Sequence, residues 1–212
     1  MRRPANSLLA SLAVIGALAG APAWAAEPST APDAEPDGQS PQSKQDEPPA
    51  KTPAEERADL YARLAASKDA DETEGIIGRL LHSYSESGSD TGDLLLQRAR
   101  HAIGVEQYAD ALKILDQTIA LLPDWAEGWN ARATARYLDD DYNGSMADIA
   151  QTLKREPKHL GALMGMGTIL EARGKREEAL KVYERALAIA PHWRNAQEAA
   201  DKLKAALAGS EL

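Results

Sequence analysis

The chain has no cysteine and no phenylalanine, and aromatic residues make up only 5% of its 212 positions. Without cysteine there is no disulfide, no thiolate metal site and no residue for lipoprotein acylation. An oxidising compartment stays open to such a chain. Ala and Leu supply most of an apolar fraction of 43%, a composition that favours helix over sheet. Catalytic signatures are missing too. His82, His101, His159 and His192 form no HxxxH or HExxH pair, so zinc-ligand spacing is absent. His159 and His192 fall at turns and are expected to be solvated. No GxSxG, Walker A or GxGxxG run occurs. The run from Asp139 to Asn143 lacks the spaced ligands and closing glutamate of a calcium loop and reads as a solvated turn. Neither catalysis nor a cofactor is expected.

Basic charge is short as well: 24 Lys and Arg against 33 Asp and Glu, a formal net charge of −9. A chain of this sign is repelled by phosphate backbones and anionic lipid. Nucleic acid and membrane surfaces are therefore not expected as partners.

At the N-terminus, Arg2 and Arg3 precede an apolar stretch from Leu8 to Ala19, then Gly20, Pro22 and Ala23-Trp24-Ala25. This is the layout of a signal peptide. Residues 1–25 are read as cleaved after Ala25, and export without a second membrane segment suggests the bacterial periplasm. The alternative is an uncleaved inner-membrane anchor, since Ser7 to Ala26 matches the ~20 residues needed to span a bilayer. Gly20 and Pro22 break that segment, which favours cleavage. Residues 26–53 hold seven of the twelve prolines and no apolar periodicity. They read as a disordered spacer.

Beyond the spacer the pattern turns helical. Ala54 to Lys68 places Leu60, Tyr61 and Leu64 on one face. Glu72 to Tyr84 turns Ile76, Ile77, Leu80, Leu81 and Tyr84 inward. Together they predict a helical hairpin over residues 54–91, a degenerate unit capping the start of a stack.

From Gly92 onward the chain is periodic. Pro123, Pro157 and Pro191 stand 34 residues apart, the period of a two-helix repeat that stacks on copies of itself. Three units start at Gly92, Ala126 and Leu160. The eighth column reads Ala99, Ala133, Gly167; the twentieth, Ala111, Ser145, Ala179. Small residues there let two helices approach closely. The twenty-fourth column, Leu115, Ile149, Tyr183, fills the space around the contact. Proline at the thirty-second stops the second helix.

Gly92 to Pro191 resembles the tetratricopeptide repeat, and the third unit, LGALMGMGTILEARGKREEALKVYERALAIAP, is close to that consensus. The resemblance implies an all-α, right-handed solenoid with units at 92–125, 126–159 and 160–193. Residues 194–212 supply a C-terminal capping helix, whose Ala196, Ala199, Ala200, Leu203 and Leu207 form one apolar face. Gly161, Gly165 and Gly167 lie on one helix, where glycine allows tight packing.

The resemblance further implies a concave groove lined by the first helix of each unit. Its positions here are Asp93, Leu96, Arg100, Ile103 and Gly104; then Glu127, Asn130, Thr134, Tyr137 and Leu138; then Gly161, Met164, Thr168, Glu171 and Ala172. Leu96, Ile103, Tyr137, Leu138 and Met164 would accept apolar side chains. Asn130 would bond an extended backbone, and Arg100 a carboxylate. The lysine-and-asparagine clamp that some relatives use for chaperone tails is absent. A protein or peptide partner is expected, with homodimerisation through Trp125, Trp193 and the terminal helix as the alternative. The second unit departs from the pattern with Arg132 at the seventh column and Asp148 at the twenty-third, where its neighbours have Ile114 and Val182. Buried charges are normally paired, so a partly buried Arg132–Asp148 salt bridge is expected. Arg136 is expected to reach Asp139 or Asp140.

Overall fold

The computed structural model describes residues 51–209. The signal-peptide reading, nearly all of the spacer and the last three residues lie outside them. Side chains cap the starts of five of the helices. Thr52 opens α1 (Pro53–Ala65) through a capping box with Glu55. Asp69 caps α2 (Ala70–Tyr84), and Ser89 caps α3 (Asp90–Gly104). After α4 (Tyr108–Leu121) and α5 (Ala126–Leu138), Asp141 caps α6 (Tyr142–Arg155). His159 caps α7 (Leu160–Ala172), which leads to α8 (Arg176–Ile189) and α9 (Arg194–Ala208). A cap of this kind contributes about 1 kcal/mol. Among the described residues there are nine helices and no strand: an all-α helical repeat.

The pairs α3–α4, α5–α6 and α7–α8 are the three units. Within each, a small residue at the eighth column packs against a large one at the twenty-fourth. Ala99 packs with Leu115, and Ala133 with Ile149. Gly167 faces the largest partner: a Cβ there would collide with the Tyr183 ring. Each turn between first and second helix needs one residue at positive φ. Gly174 supplies it at 73°, while Glu106 and Asp140 hold 60° and 61° at the same column against the preference of side chains.

The hairpin α1–α2 forms, but it does not cap the first unit. Leu60, Leu64, Ile76, Ile77, Leu80 and Tyr84 share their core with Leu160, Leu163, Ala186, Ala190, Trp193 and Ala196. The hairpin thus lies across the turns that lead into α7 and α9. Arg194 reaches Asp71 at 3.5 Å near the start of α2, and the Trp125 indole N–H donates to the Tyr84 carbonyl at 2.9 Å at its end. Arg57 approaches Glu156 at 3.8 Å, and Lys158 lies over the Tyr61 ring. The Tyr61 and Tyr84 hydroxyls are hydrogen-bonded to each other, and burial pushes both phenols well above their ordinary value.

For Tyr84, burial outweighs the hydrogen bond from Tyr61, which acts in the opposite direction. The reason for the hairpin's placement is apolar surface. Leu160 and Trp193 stand where the turns enter α7 and α9 and share one buried core with the hairpin. One expected inward side chain is placed differently. Leu81, one residue round the helix from fully buried Leu80, is 45% exposed. Leu94 on α3 is 53% exposed. Trp193, expected at a dimer surface, is buried in the shared core, while Trp125, expected there too, is half-buried with its indole on the Tyr84 carbonyl.

α9 closes the other end. Ala196, Ala200 and Leu203 are buried, and Leu203 packs with Leu170, Ala179 and Tyr183.

Candidate functional site

The first helices α3, α5 and α7 run side by side and expose a groove. Ile103 and Arg100 of α3 face Asn130 and Thr134 of α5 across one depression of about 130 Å³. Asn130, Thr134 and Tyr137 then face Gly161 and Thr168 of α7 across a second, of about 200 Å³. These expected groove residues are therefore brought together.

The others are placed differently. Leu96 is buried with Ala99, Ala102 and Leu115: it shares the inward stripe of α3, three residues from Ala99 and six from Ala102. Met164 is half-buried between two core clusters. Leu138 is exposed but lines neither depression. Glu171 pairs with Lys202 of α9 at 2.6 Å.

Glu127 is the largest correction. It does not face a partner; it is buried at the centre of a polar network. Arg100 donates to its Oε1 at 2.6 Å, and the Asn130 amide to its Oε2 at 3.1 Å. His159 holds the same Oε2 at 3.0 Å. His159, expected in solvent, is 0% exposed. Its Nδ1 accepts the Ala162 amide at 3.1 Å, so the ring proton sits on Nε2 and points at the carboxylate. The Tyr84 ring stacks on it with centroids 4.1 Å apart. Burial works to raise the Glu127 carboxyl, but the hydrogen bond from His159 and the charge of Arg100 outweigh it and hold the group below its ordinary value. Arg100, expected to meet a partner's carboxylate, is thus already paired inside the chain, and also donates to Ser85 at 2.9 Å. The sequence held a signal for His159: the thirty-fourth column reads Trp125, His159, Trp193, a ring before each following helix.

A second charged cluster braces the middle unit. Arg132 donates to both carboxylate oxygens of Asp148, at 2.9 and 2.7 Å, and to Asp116 at 2.7 Å. The hydrogen bonds to Asp148 raise the Arg132 guanidinium above its ordinary value, so the pair stays charged. Arg136 reaches neither Asp139 nor Asp140. It pairs with Asp148 at 3.0 Å, approaches Asp141 at 3.9 Å, and donates to the Gly144 carbonyl. The buried Asp148 carboxylate draws it along α6, away from the turn.

Comparison with known proteins places the chain. The family model for the tetratricopeptide repeat matches residues 161–193. A TPR repeat-containing protein of Rhizobium etli is 40% identical over 159 residues, 75% of this chain and 78% of that relative. The chain belongs to the tetratricopeptide repeat (TPR) family. Solved TPR domains share its fold. The first TPR domain of human RPAP3 aligns with a TM-score of 0.53 at 22% identity, over 57% of this chain and 95% of that one. The Sgt2 TPR domain from Aspergillus fumigatus aligns with a TM-score of 0.54 at 17% identity, over 58% and 83%. The first TPR of Spaghetti (RPAP3), solved bound to the HSP90 peptide SRMEEVD, aligns with a TM-score of 0.53 at 22% identity, over 57% of this chain and 95% of that one.

Proposed function

We propose that this TPR protein is a non-catalytic interaction scaffold that holds an extended segment of a partner protein along α3, α5 and α7. One observation carries the reading. Thr134 and Thr168 stay exposed, and Ile103, Asn130 and Tyr137 half-exposed, along two joined depressions, while the opposite sides of the same helices are packed into the core. A concave surface left open on a stacked array is where such proteins engage partners, and the peptide-bound RPAP3 domain supports this use of the fold. The periplasm is the proposed site of action, supported by the charge and apolar pattern of residues 1–25. A mature chain that begins at Ala26 on N-terminal sequencing would agree with it; one that begins at Met1 would favour the membrane-anchored alternative.

Crosslinking in cells, followed by mass spectrometry, tests the groove. Thr134→Arg/Thr168→Arg alters exposed positions and leaves the buried network untouched. The partner captured by the wild type should be lost, with the helical circular dichroism spectrum retained. An unchanged set of crosslinks would defeat the proposal.

A further inference from the structure

We propose that the groove recognises its segment through one large apolar side chain, seated in a socket that Gly161 and Gly165 open between α5 and α7. This rests on the groove reading above and adds the chemistry of the occupant. The socket is the 200 Å³ depression. That is several times the ~30 Å³ share of one water and below the roughly 300–1,000 Å³ of sites that enclose a whole small ligand. It fits a side chain.

Its floor is Ala133, Ile149 and Ile169, all buried. Three of its four hydroxyls are engaged by backbone carbonyls, and the fourth belongs to Tyr137 at its edge. Thr134 donates to the Asn130 carbonyl at 3.1 Å, Thr168 to the Met164 carbonyl at 2.9 Å, and Ser145 to the Ala133 carbonyl at 2.8 Å. The charges along the groove are paired within the chain as well: Arg100 with Glu127, whose other oxygen takes the His159 ring N–H, and Glu171 with Lys202. A charged occupant would meet no free counter-charge from these groups and would lose its water. An apolar one would bury its surface at no such cost.

The two glycines are not required by packing. A Cβ at Gly165 would meet only Ile149, at 3.6 Å, and one at Gly161 would meet His159 at 3.5 Å and Asn130 at 3.8 Å, all ordinary contacts. Gly167 on the same helix is different, since its Cβ would collide with Tyr183. Glycine inside a helix weakens it, so two packing-neutral glycines one turn apart mark space kept open.

The experiment is selection of random nonapeptides displayed on phage against the full chain, with anisotropy titration of the selected peptides. The wild type should enrich sequences with an aliphatic or aromatic residue at one fixed position. Gly165→Leu should weaken those peptides about tenfold or more. Serine at the fixed peptide position should weaken wild-type binding to a similar extent and add little on the variant. Thermal melts separate binding loss from unfolding. Gly161→Ala/Gly165→Ala, expected to melt at or above the wild type and to bind more weakly, keeps the test sound if the leucine variant folds poorly. Peptides with no fixed apolar position, or unchanged affinity in both variants, would overturn the socket while leaving the groove. No enrichment at all would overturn both.

Discussion

Nε2 of His159 donates to Oε2 of Glu127 across 3.0 Å, while Nδ1 of the same ring accepts the Ala162 amide that opens α7. One side chain therefore caps a helix and satisfies a buried carboxylate on another. His159→Ala removes both functions and the stacking on Tyr84. Losing a cap costs about 1 kcal/mol, and a buried acceptor that loses a donor costs about 1–3 kcal/mol more. The variant should be destabilised by about 2–4 kcal/mol in urea unfolding followed by circular dichroism. A loss within experimental error of zero would show that the ring is not holding the network.

The same carboxylate makes stability depend on pH. Glu127 is held below its ordinary value in the folded state, whereas an unfolded glutamate titrates near ~4.3. A depressed pKa contributes stability in full above the unfolded value and loses it as pH falls through the folded one. Glu127→Gln removes the titration. The wild type should be the more stable at pH 7, and its advantage should shrink as the pH is lowered from about 5 toward 3. Urea midpoints of the two proteins across that range check this; parallel curves would contradict the assignment.

Spacing made the repeats legible because stacking is periodic. Pro123, Pro157 and Pro191, and the small-to-large match of Gly167 with Tyr183, repeat wherever the same contact repeats. The Arg132–Asp148 pair was legible for the opposite reason: two departures at facing columns have to answer each other. Positions without a periodic counterpart were harder. The apolar face of α1–α2 shows that Leu60, Leu64 and Leu80 will be buried, not what will bury them. At Leu96 and Glu127, family columns mark an inner face, but neighbouring residues on a helix are separated by about 100°. A small rotation of the helix moves a side chain from groove to core.

Asp148 faces two arginines, Arg132 and Arg136, and is almost fully buried. Asp148→Val leaves Arg132 half-answered by Asp116 and should cost about 3–5 kcal/mol, as removing one partner of a buried pair does. The third unit carries an apolar solution at the same two columns, Met166 and Val182. Arg132→Met/Asp148→Val copies it into the second unit, and well-packed apolar replacements of buried ion pairs are commonly tolerated. The double variant should recover most of the stability that the single variant loses, measured by urea unfolding. If it is the less stable of the two, the pair is not what Asp148 is there for.

The hairpin α1–α2 changes how the array should come apart. In a simple solenoid each unit depends on its neighbours, so terminal units open first. Here Leu80 of α2 is fully buried in one cluster with Leu160, Leu163 and Trp193, which lie at the far end of the chain. Leu80→Ala should cost about 2–5 kcal/mol through the cavity it leaves. The loss should also spread. Hydrogen exchange should show reduced protection in α1 and α2 and, together with them, at the starts of α7 and α9, with α3 and α4 less affected. Faster exchange confined to α1 and α2 would mean that the hairpin rests on the repeats without helping to hold them.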